Sequence, residues 1–516
     1  MKRIPALDSL RGLLLVLMTI NHLIWLSGGR SLLQYFTLQP LGQFGAAEGF
    51  VMISGLLAGA VYSRAELSDR EATGKVLRRA FTIYKYHMVS LLLVMVWFSY
   101  CAFALPAVAQ SLGSSFNNLG EAPLATILLS ALLINKPDYL EILPLYVIFM
   151  LILPIALYAF RRGWIWLVLA ISVGVWAIST QINASLLSSL FNTNVQVGYF
   201  DPFAWQLLFI GGAAIGFSNA KGNLRWHHPA VATVCLAIAA LLFAAHHDAF
   251  LSMGIHQGVL YSFADKPELG WLRMLNLMVW VYLVATVIHK WPSALVFRPL
   301  SYIGKNSLQV FTWHAVLIYF AAPFLSETVL NGYYTLFVLL LTATLWMASW
   351  LQERRKQAGN TLIPVTALAS IFVVVLSASL ISKQPKEAPT FAQGESYPLT
   401  IKITDIQVEE AGVVVLVYNE TDNLMGGAPT AHANHYTSDE AREGITLEAL
   451  PSGFYGIMAY QDIDGNNTLS FGANGIPSEG FGFSNNPAPQ GPPSMALIKF
   501  AHHEAQDQTI HLLNLY

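Results

Sequence analysis

Long apolar runs separated by short basic turns dominate the first 380 or so residues of the chain. A helix needs roughly 17–25 predominantly apolar residues to cross a bilayer, and runs of about this length recur through the whole region. The stretch 123–134 is too short for a comfortable crossing, so we predict a periplasmic or re-entrant helix there. The pattern as a whole predicts an all-α polytopic membrane helix bundle of about 11 spans, near 10–27, 44–63, 81–105, 143–160, 164–181, 204–219, 229–246, 271–289, 302–322, 333–351 and 361–381.

Basic residues predict how these spans are oriented, because cytoplasmic loops are enriched in Lys and Arg. The loop after the second span is rich in them, and the later turns at 161–163, 221–225, 289–291 and 352–356 fall on the same side. No small-residue cleavage site follows the first apolar run, which predicts an uncleaved helix with a cytoplasmic N-terminus. We therefore expect a multi-pass membrane protein, in contact with membrane lipid.

The pattern changes to strand-like alternation after Ile381. Residues 382–396 form a linker that contains prolines and charges, and from Tyr397 onward apolar and polar residues alternate with period two. We predict a membrane domain at 1–381, with a core at 1–355 and one extra span, followed by a small all-β, sandwich-like soluble domain at 397–516. An odd number of spans would place this β-domain in the periplasm.

Composition agrees with a membrane protein and excludes one class of partner. Of 516 residues, 55% are hydrophobic and 11% charged, whereas globular domains carry roughly 25% charged residues. No basic block exists that could follow a phosphate backbone, so we expect no nucleic-acid partner. Cys101 and Cys235 both lie in apolar runs, and no disulfide framework or metal motif can be built from them.

The first span carries the clearest candidate chemistry. Arg11 and His22 are eleven residues apart, about three helical turns or about 16 Å, so both project from one face, with Asp8 one turn earlier. Polar side chains on one face of a lipid-embedded helix require a partner, a cavity or a substrate. We take these three residues as catalytic candidates.

Charged residues of the second and third spans have either a structural or a functional role. Glu48 shares a helix face with Gly55 and Gly59, and such glycines allow a neighbouring helix or a ligand to approach the backbone closely. Arg78 and Arg79 open the third span, where they either determine topology or bind an anionic donor, since arginine suits phosphate and carboxylate groups.

Polar and aromatic residues near other span ends complete the candidate set. Carboxylates and aromatic rings at the outer mouth suit a sugar, although Tyr and Trp also form ordinary interfacial belts. The candidates there are Asp138, Tyr139, Asp201 and Trp205. A second polar stripe, expected to face the bundle interior, contains Asn306, Ser307, Gln309 and His314.

The β-domain contains one loop with alternating oxygen ligands, at 460–472. Asp462, Asp464 and Asn466 match the start of a calcium loop, but position six is Asn467 rather than Gly and position twelve is Ala473 rather than Glu. A turn stabilised by Asx hydrogen bonds explains the pattern better. We therefore expect no metal site.

Six segments in order resemble the OpgC family, membrane proteins related to the acyltransferase-3 superfamily and associated with succinylation of osmoregulated periplasmic glucans. They are the Arg11–His22 pair, AEGFVMISGLLAG, the basic entry to the third span, LEILPLYVIFMLILP, DPFAWQLLF and RPLSYIGKNSLQVF. The resemblance covers roughly 1–355, and the C-terminal part resembles a small exported bacterial domain of unknown function. The added span and domain depart from the ten-span pattern of the family.

The resemblance implies an O-acyltransferase of the bacterial inner membrane. It would move an acyl group from a cytoplasmic acyl-CoA, succinyl-CoA or acetyl-CoA, onto a periplasmic or cell-surface glucan, with no permanently bound cofactor. Arg11, assisted by Arg78 or Arg79, would bind the donor, and Asp8 would orient Arg11. His22 would act as general base or carry the acyl group itself. Two alternatives stay open: O-acetylation of another surface polysaccharide, and a transporter or membrane anchor with a binding β-domain.

Overall fold

A computed structural model gives the fold of most of the chain. It describes residues 4–27, 31–64, 66–104, 123–137, 139–181, 199–222, 226–247, 249–250, 253, 257–330, 333–357, 395–419, 422, 429–470, 477–486 and 495–514. The predicted extra span at 361–381 and nearly all of the linker lie outside these residues, as does Asp138.

The first 357 residues form a helical bundle. Its helices are α1 (Pro5–Ser27), α2 (Ala46–Tyr62), α3 (Asp69–Ala104), α4 (Pro123–Ala131), α5 (Ile142–Arg161), α6 (Ile165–Ala177), α7 (Pro202–Ala220), α8 (Pro229–His246), α9 (Gln257–Phe263), α10 (Trp271–Lys290), α11 (Arg298–Lys305), α12 (Ser307–Leu330) and α13 (Tyr334–Gln357). Two short 3₁₀ helices, Leu32–Phe36 and Gln39–Leu41, connect α1 to α2.

Ten of these helices correspond to the first ten predicted spans. Eight are long and apolar enough to cross a membrane, and α2 and α6 are shorter apolar helices. Large apolar side chains remain exposed on the outside of the bundle, for example Trp166 at 81% and Ile155 at 72%, as lipid contact requires. The nine residues of α4 agree with a helix too short to cross.

Two features of the helices differ clearly from the predicted spans. Helix α3 begins at Asp69, well before residue 81, because Ser68 and Glu71 form a capping box: the Glu71 carboxylate accepts from the Ser68 amide at 2.9 Å and the Ser68 hydroxyl accepts from the Glu71 amide at 3.3 Å. The span predicted at 302–322 is interrupted at Asn306, where α11 ends and α12 begins.

Glycines bring helices of the bundle into backbone contact. A Cβ on Gly55 would lie 2.1 Å from the Phe209 carbonyl oxygen, and one on Gly212 would lie 2.3 Å from that of Met52, so the glycine face of α2 packs against α7. Helix α1 meets α11 in the same way, since a Cβ on Gly304 would lie 1.8 Å from the Asp8 carbonyl oxygen. These contacts hold α1 in a fixed position relative to the polar stripe that follows α11.

The C-terminal residues form a small β-domain with two sheets. Its elements are β1 (Ser396–Thr404), β2 (Gly412–Asn419), β3 (His432–Tyr436), α14 (Ser438–Glu443), β4 (Ile445–Pro451), β5 (Gly453–Asp462), β6 (Phe481–Phe483), α15 (Met495–Ile498), β7 (Phe500–His502) and β8 (Gln506–His511). In one sheet β1 pairs antiparallel with β4 and parallel with β8. In the other the order is β3-β2-β5-β6, with β7 also paired to β5.

Alternating residues of both sheets build the core between them. Leu399, Ile401 and Ile403 of β1 and Val413 and Val415 of β2 are fully buried in one cluster. This period-two burial is what the sequence predicts for a sandwich. The fold class of a helical membrane bundle followed by an all-β domain is therefore confirmed.

Candidate active site

The Arg11–His22 face of α1 lies against α12. The Arg11 Nη2 group donates to the Ser307 hydroxyl at 2.5 Å, and eleven residues later His22 Nδ1 lies 3.1 Å from His314 Nε2. Ser307 and His314 are themselves seven residues apart. The two polar stripes predicted from separate parts of the sequence therefore form one face-to-face contact.

A hydrogen-bond chain fixes which ring nitrogen of His22 is available. The Thr19 hydroxyl donates its one proton to the Leu15 carbonyl oxygen at 2.8 Å, so it accepts from His314 Nδ1, which lies 2.9 Å away. Burial of the His314 ring, which is 0% exposed, opposes a positive charge, so its Nε2 accepts the proton of His22 Nδ1. Nε2 of His22 then carries a lone pair, and no described residue bonds to it.

Arg11 lies among aromatic rings as well as hydroxyls. Its guanidinium group is 5.7 Å from the centroid of the Phe50 ring, a distance suited to a cation–π interaction. Its Nε is buried and has no hydrogen-bond partner among the described residues. The charges of both Asp8 and Arg79 act on Arg11, whereas Arg78 and Arg79 themselves are exposed on α3. Arg11 thus keeps one N–H group that a ligand could use.

Glu48 belongs to a buried ion pair. Its Oε1 lies 2.7 Å from Nη1 of Arg273, with side chains 0% and 6% exposed. Arg273 Nε also donates to the Ala264 carbonyl at 2.8 Å, while Glu48 Oε2 has no hydrogen-bond partner among the described residues. The pair joins α2 to α10 and to the loop that precedes α10.

The predicted outer-mouth residues separate into two groups. The Asp201 carboxylate caps α7 by accepting from the Phe203 amide at 2.8 Å, and Trp205 is 0% exposed, with its indole N–H donating to the Pro267 carbonyl at 3.1 Å. Tyr139 instead contacts the candidate base, its ring centroid 4.9 Å from that of His22. Asp201 and Trp205 therefore position a loop, and Tyr139 borders the histidine.

The rest of the α12 stripe bonds to neighbouring helices. Asn306 accepts from Lys356 Nζ at 2.7 Å and donates to the Ser349 hydroxyl at 2.9 Å. Gln309 donates to the Tyr86 hydroxyl at 3.0 Å. These contacts join α12 to α13 and α3, away from the Arg11–His22 face.

Thr19 and Arg273 were not among the candidates predicted from the sequence, although a sequence pattern points to each of them. Thr19 is three residues before His22, which places it on the same face of α1. Arg273 lies at the start of a predicted span, and an arginine in an apolar helix indicates a partner. Only the fold could identify those partners, because His314 and Glu48 are distant in the chain.

In the β-domain, three carboxylates come close together. Oxygen atoms of Asp462, Asp464 and Glu479 all lie within 4.8 Å of one another. The Asn466 amide donates to both aspartates, at 3.0 and 3.1 Å, and the Ser470 amide donates to Glu479 at 2.9 Å. The predicted Asx hydrogen bonds of Asp462 and Asp464 organise the start of this loop.

Two family models match the chain. One, described as OpgC protein, matches residues 3–357, more than half of the chain and all of α1 to α13. The other, described as an uncharacterized protein conserved in bacteria (DUF2141), matches residues 401–511. No curated protein and no solved structure matches the chain.

Proposed function

The chain belongs to the OpgC protein family, and from this premise we propose that it transfers a succinyl group from succinyl-CoA to hydroxyl groups of an exported glucan. Membership of this family indicates a membrane acyltransferase that acts on glucan. The succinyl donor, the osmoregulated periplasmic glucan as acceptor and the roles of individual residues are parts of the proposal.

The observation that carries the proposal is the hydrogen-bond chain from Leu15 through Thr19 and His314 to His22. It holds the Nδ1 proton of His22 in a bond and leaves Nε2 as an acceptor. An imidazole oriented in this way suits general-base catalysis at neutral pH. The same helix, α1, also carries Arg11, which would bind the donor.

In the proposed reaction, His22 Nε2 removes the proton of a glucosyl hydroxyl while that oxygen attacks the thioester carbonyl carbon. The new C–O bond forms, the C–S bond breaks, and the imidazolium returns its proton to the departing thiolate of CoA. Transient acylation of His22 itself uses the same lone pair and gives the same products.

Arg11 would bind the donor through its free Nε–H, because arginine offers several fixed donors to phosphate or carbonyl oxygens. Arg79, which is exposed and electrostatically close to Arg11, would meet the CoA phosphates at the cytoplasmic entrance. Asp8 would limit the positive charge around Arg11. The acyl end would then reach His22, about three turns further along α1.

Replacing His22 with Ala in the producing cell tests this function. We expect the anionic charge of the glucan, measured by anion-exchange chromatography, to fall to the level of a strain without the protein, because the base is lost. His289→Ala is the matched control, since this histidine is exposed at the far end of α10. Unchanged glucan charge at normal protein levels in His22→Ala cells would refute the proposal.

A further inference from the structure

The loop between α9 and α10 holds a lysine near the candidate base. Its backbone is fixed by several hydrogen bonds: Trp205 Nε1 donates to the Lys266 carbonyl at 3.2 Å, Arg273 Nε to that of Ala264 at 2.8 Å, and the Gly270 amide to that of Asp265 at 2.8 Å. The Lys266 side chain therefore projects from a rigid support.

The ammonium group of Lys266 has aromatic neighbours in place of a counter-ion. It lies 5.7 Å from the ring centroids of both Tyr199 and Phe200, and no described residue bonds to it or pairs with it within ion-pair distance. Its charge acts directly on His22. Burial lowers the pKa of Lys266, opposed by the negative charge of Glu48, so this ammonium would gain from a further anion.

A second lysine, Lys136, lies in the segment that leads to Tyr139. It is 3% exposed, yet no described residue offers it a hydrogen bond or an ion pair. Lys136 comes three residues before Tyr139, whose ring contacts that of His22. Burial lowers the pKa of Lys136 as well, opposed by Glu141 and Asp201.

Three carboxylates among the described residues act electrostatically on these lysines. Glu48 is in direct contact with Arg273, and Asp201 caps α7. The negative charge of Glu141 acts electrostatically on both lysines, so the two ammonium groups share one carboxylate. Lys136 is buried, and Lys266 is half-buried. A charge removed from water without a paired group is costly, and next to a proposed base such a charge is suited to substrate binding.

We propose that Lys266 and Lys136 form an anion-binding subsite beside His22, which receives the distal carboxylate of a dicarboxylic acyl group during transfer. The inference rests on the proposed acyltransferase function and adds the residues that select the acyl group. In a succinyl thioester, three C–C bonds separate the reacting carbonyl carbon from the carboxylate carbon, so one end would lie at His22 and the other at the lysines.

Such a subsite would select by charge rather than by size. A site built for a charged group rejects an analogue without it far more strongly than an apolar pocket rejects a missing methylene. An acetyl or butyryl group would leave both ammonium groups unpaired, whereas a succinyl group would neutralise one of them. Neither lysine takes part in the proton transfer, so both are specificity-determining rather than catalytic.

The test compares two four-carbon donors, succinyl-CoA and butyryl-CoA, with purified full-length protein and neutral glucan. The variants are Lys266→Gln, Lys136→Gln and Lys266→Arg, and the matched control is Lys290→Gln at the exposed end of α10. We expect each Gln variant to lose about 10- to 100-fold of the succinyl-over-butyryl preference in kcat/KM, the range expected for one charged hydrogen bond. Lys266→Arg should keep most of the preference, and Lys290→Gln all of it.

Three results would overturn the subsite. Both donors could lose rate equally in the Gln variants, which indicates a structural role. The preference could stay unchanged in both Gln variants. The rate lost in the Gln variants could instead depend on whether the glucan carries anionic substituents, which would indicate that the lysines bind the acceptor. Failure of the wild-type protein to transfer either donor would instead refute the acyltransferase function itself, and the subsite with it.

Discussion

At the scale of single residues, the proposed role of His22 as a base depends on Thr19, which contacts His314 rather than His22. Thr19 donates to the Leu15 carbonyl and accepts from His314, and this direction of bonding determines that His22 Nε2 is the free acceptor. Without the hydroxyl, His314 could carry its proton on Nε2 and donate to His22 Nδ1. His22 would then hold its proton on Nε2 and could not act as a base.

We therefore expect Thr19→Val to lower kcat about tenfold or more, the effect of losing one buried hydrogen bond, with little change in KM for the donor. Thr19→Ser keeps the hydroxyl and should restore kcat. Initial rates over a range of donor concentrations measure both constants. Equal rates for Thr19→Val and the wild-type protein would show that the threonine does not orient the histidines.

The sequence could predict half of this arrangement. The Arg11–His22 spacing places both residues on one face of α1 whatever the fold, because helical periodicity is local. The pairing with Ser307 and His314 joins positions almost 300 residues apart in the chain, which no local pattern encodes. Helical periodicity also made Glu48 a candidate, but its partner Arg273 could be identified only from the fold.

At the scale of helices, glycine faces set how closely the bundle packs. Gly55 and Gly59 of α2 contact the backbone of α7, and Gly212 and Gly216 of α7 contact that of α2. Of the two interpretations of the glycine face on α2, the structure therefore favours helix packing.

The helix boundaries differ in how far the sequence could predict them. The capping box that begins α3 is present in the sequence and could have been recognised there. The break at Asn306 lies inside an apolar stretch that hydropathy alone predicts as a single span.

Two adjacent glycines of α7 test this packing. A Cβ on Gly212 would lie 2.3 Å from the Met52 carbonyl oxygen, whereas one on Gly211 would meet nothing within 4 Å. We expect Gly212→Ala to destabilise the bundle by about 1–3 kcal/mol, the usual cost of overpacking, and Gly211→Ala to be neutral or stabilising. Thermal unfolding in detergent measures the difference, and equal melting temperatures would contradict the close contact.

At the scale of the whole molecule, the topology depends on one segment. The predicted spans up to Gln357 number ten, an even number that would return the chain to its starting side. On this prediction the β-domain lies opposite the N-terminus only if 361–381 crosses the membrane. The family match ends at residue 357 and does not include this segment. Its crossing and the periplasmic position of the β-domain stay predictions.

Alkaline phosphatase fusions test this topology, because the enzyme is active only after export. We expect a fusion after Gln357 to be inactive and one after Glu395 to be active. Activity after Gln357, or inactivity of both fusions at normal protein levels, would contradict the predicted orientation.

The proposed role of His22 is to activate a glucan hydroxyl towards an acyl-CoA donor. Its most direct test measures transfer of radiolabelled succinyl groups from succinyl-CoA to glucan by purified full-length protein, with His22→Ala and His289→Ala compared in the same detergent. We predict label on the glucan with the wild-type protein and His289→Ala, and none above background with His22→Ala. Labelled glucan at the wild-type rate with His22→Ala would contradict the account.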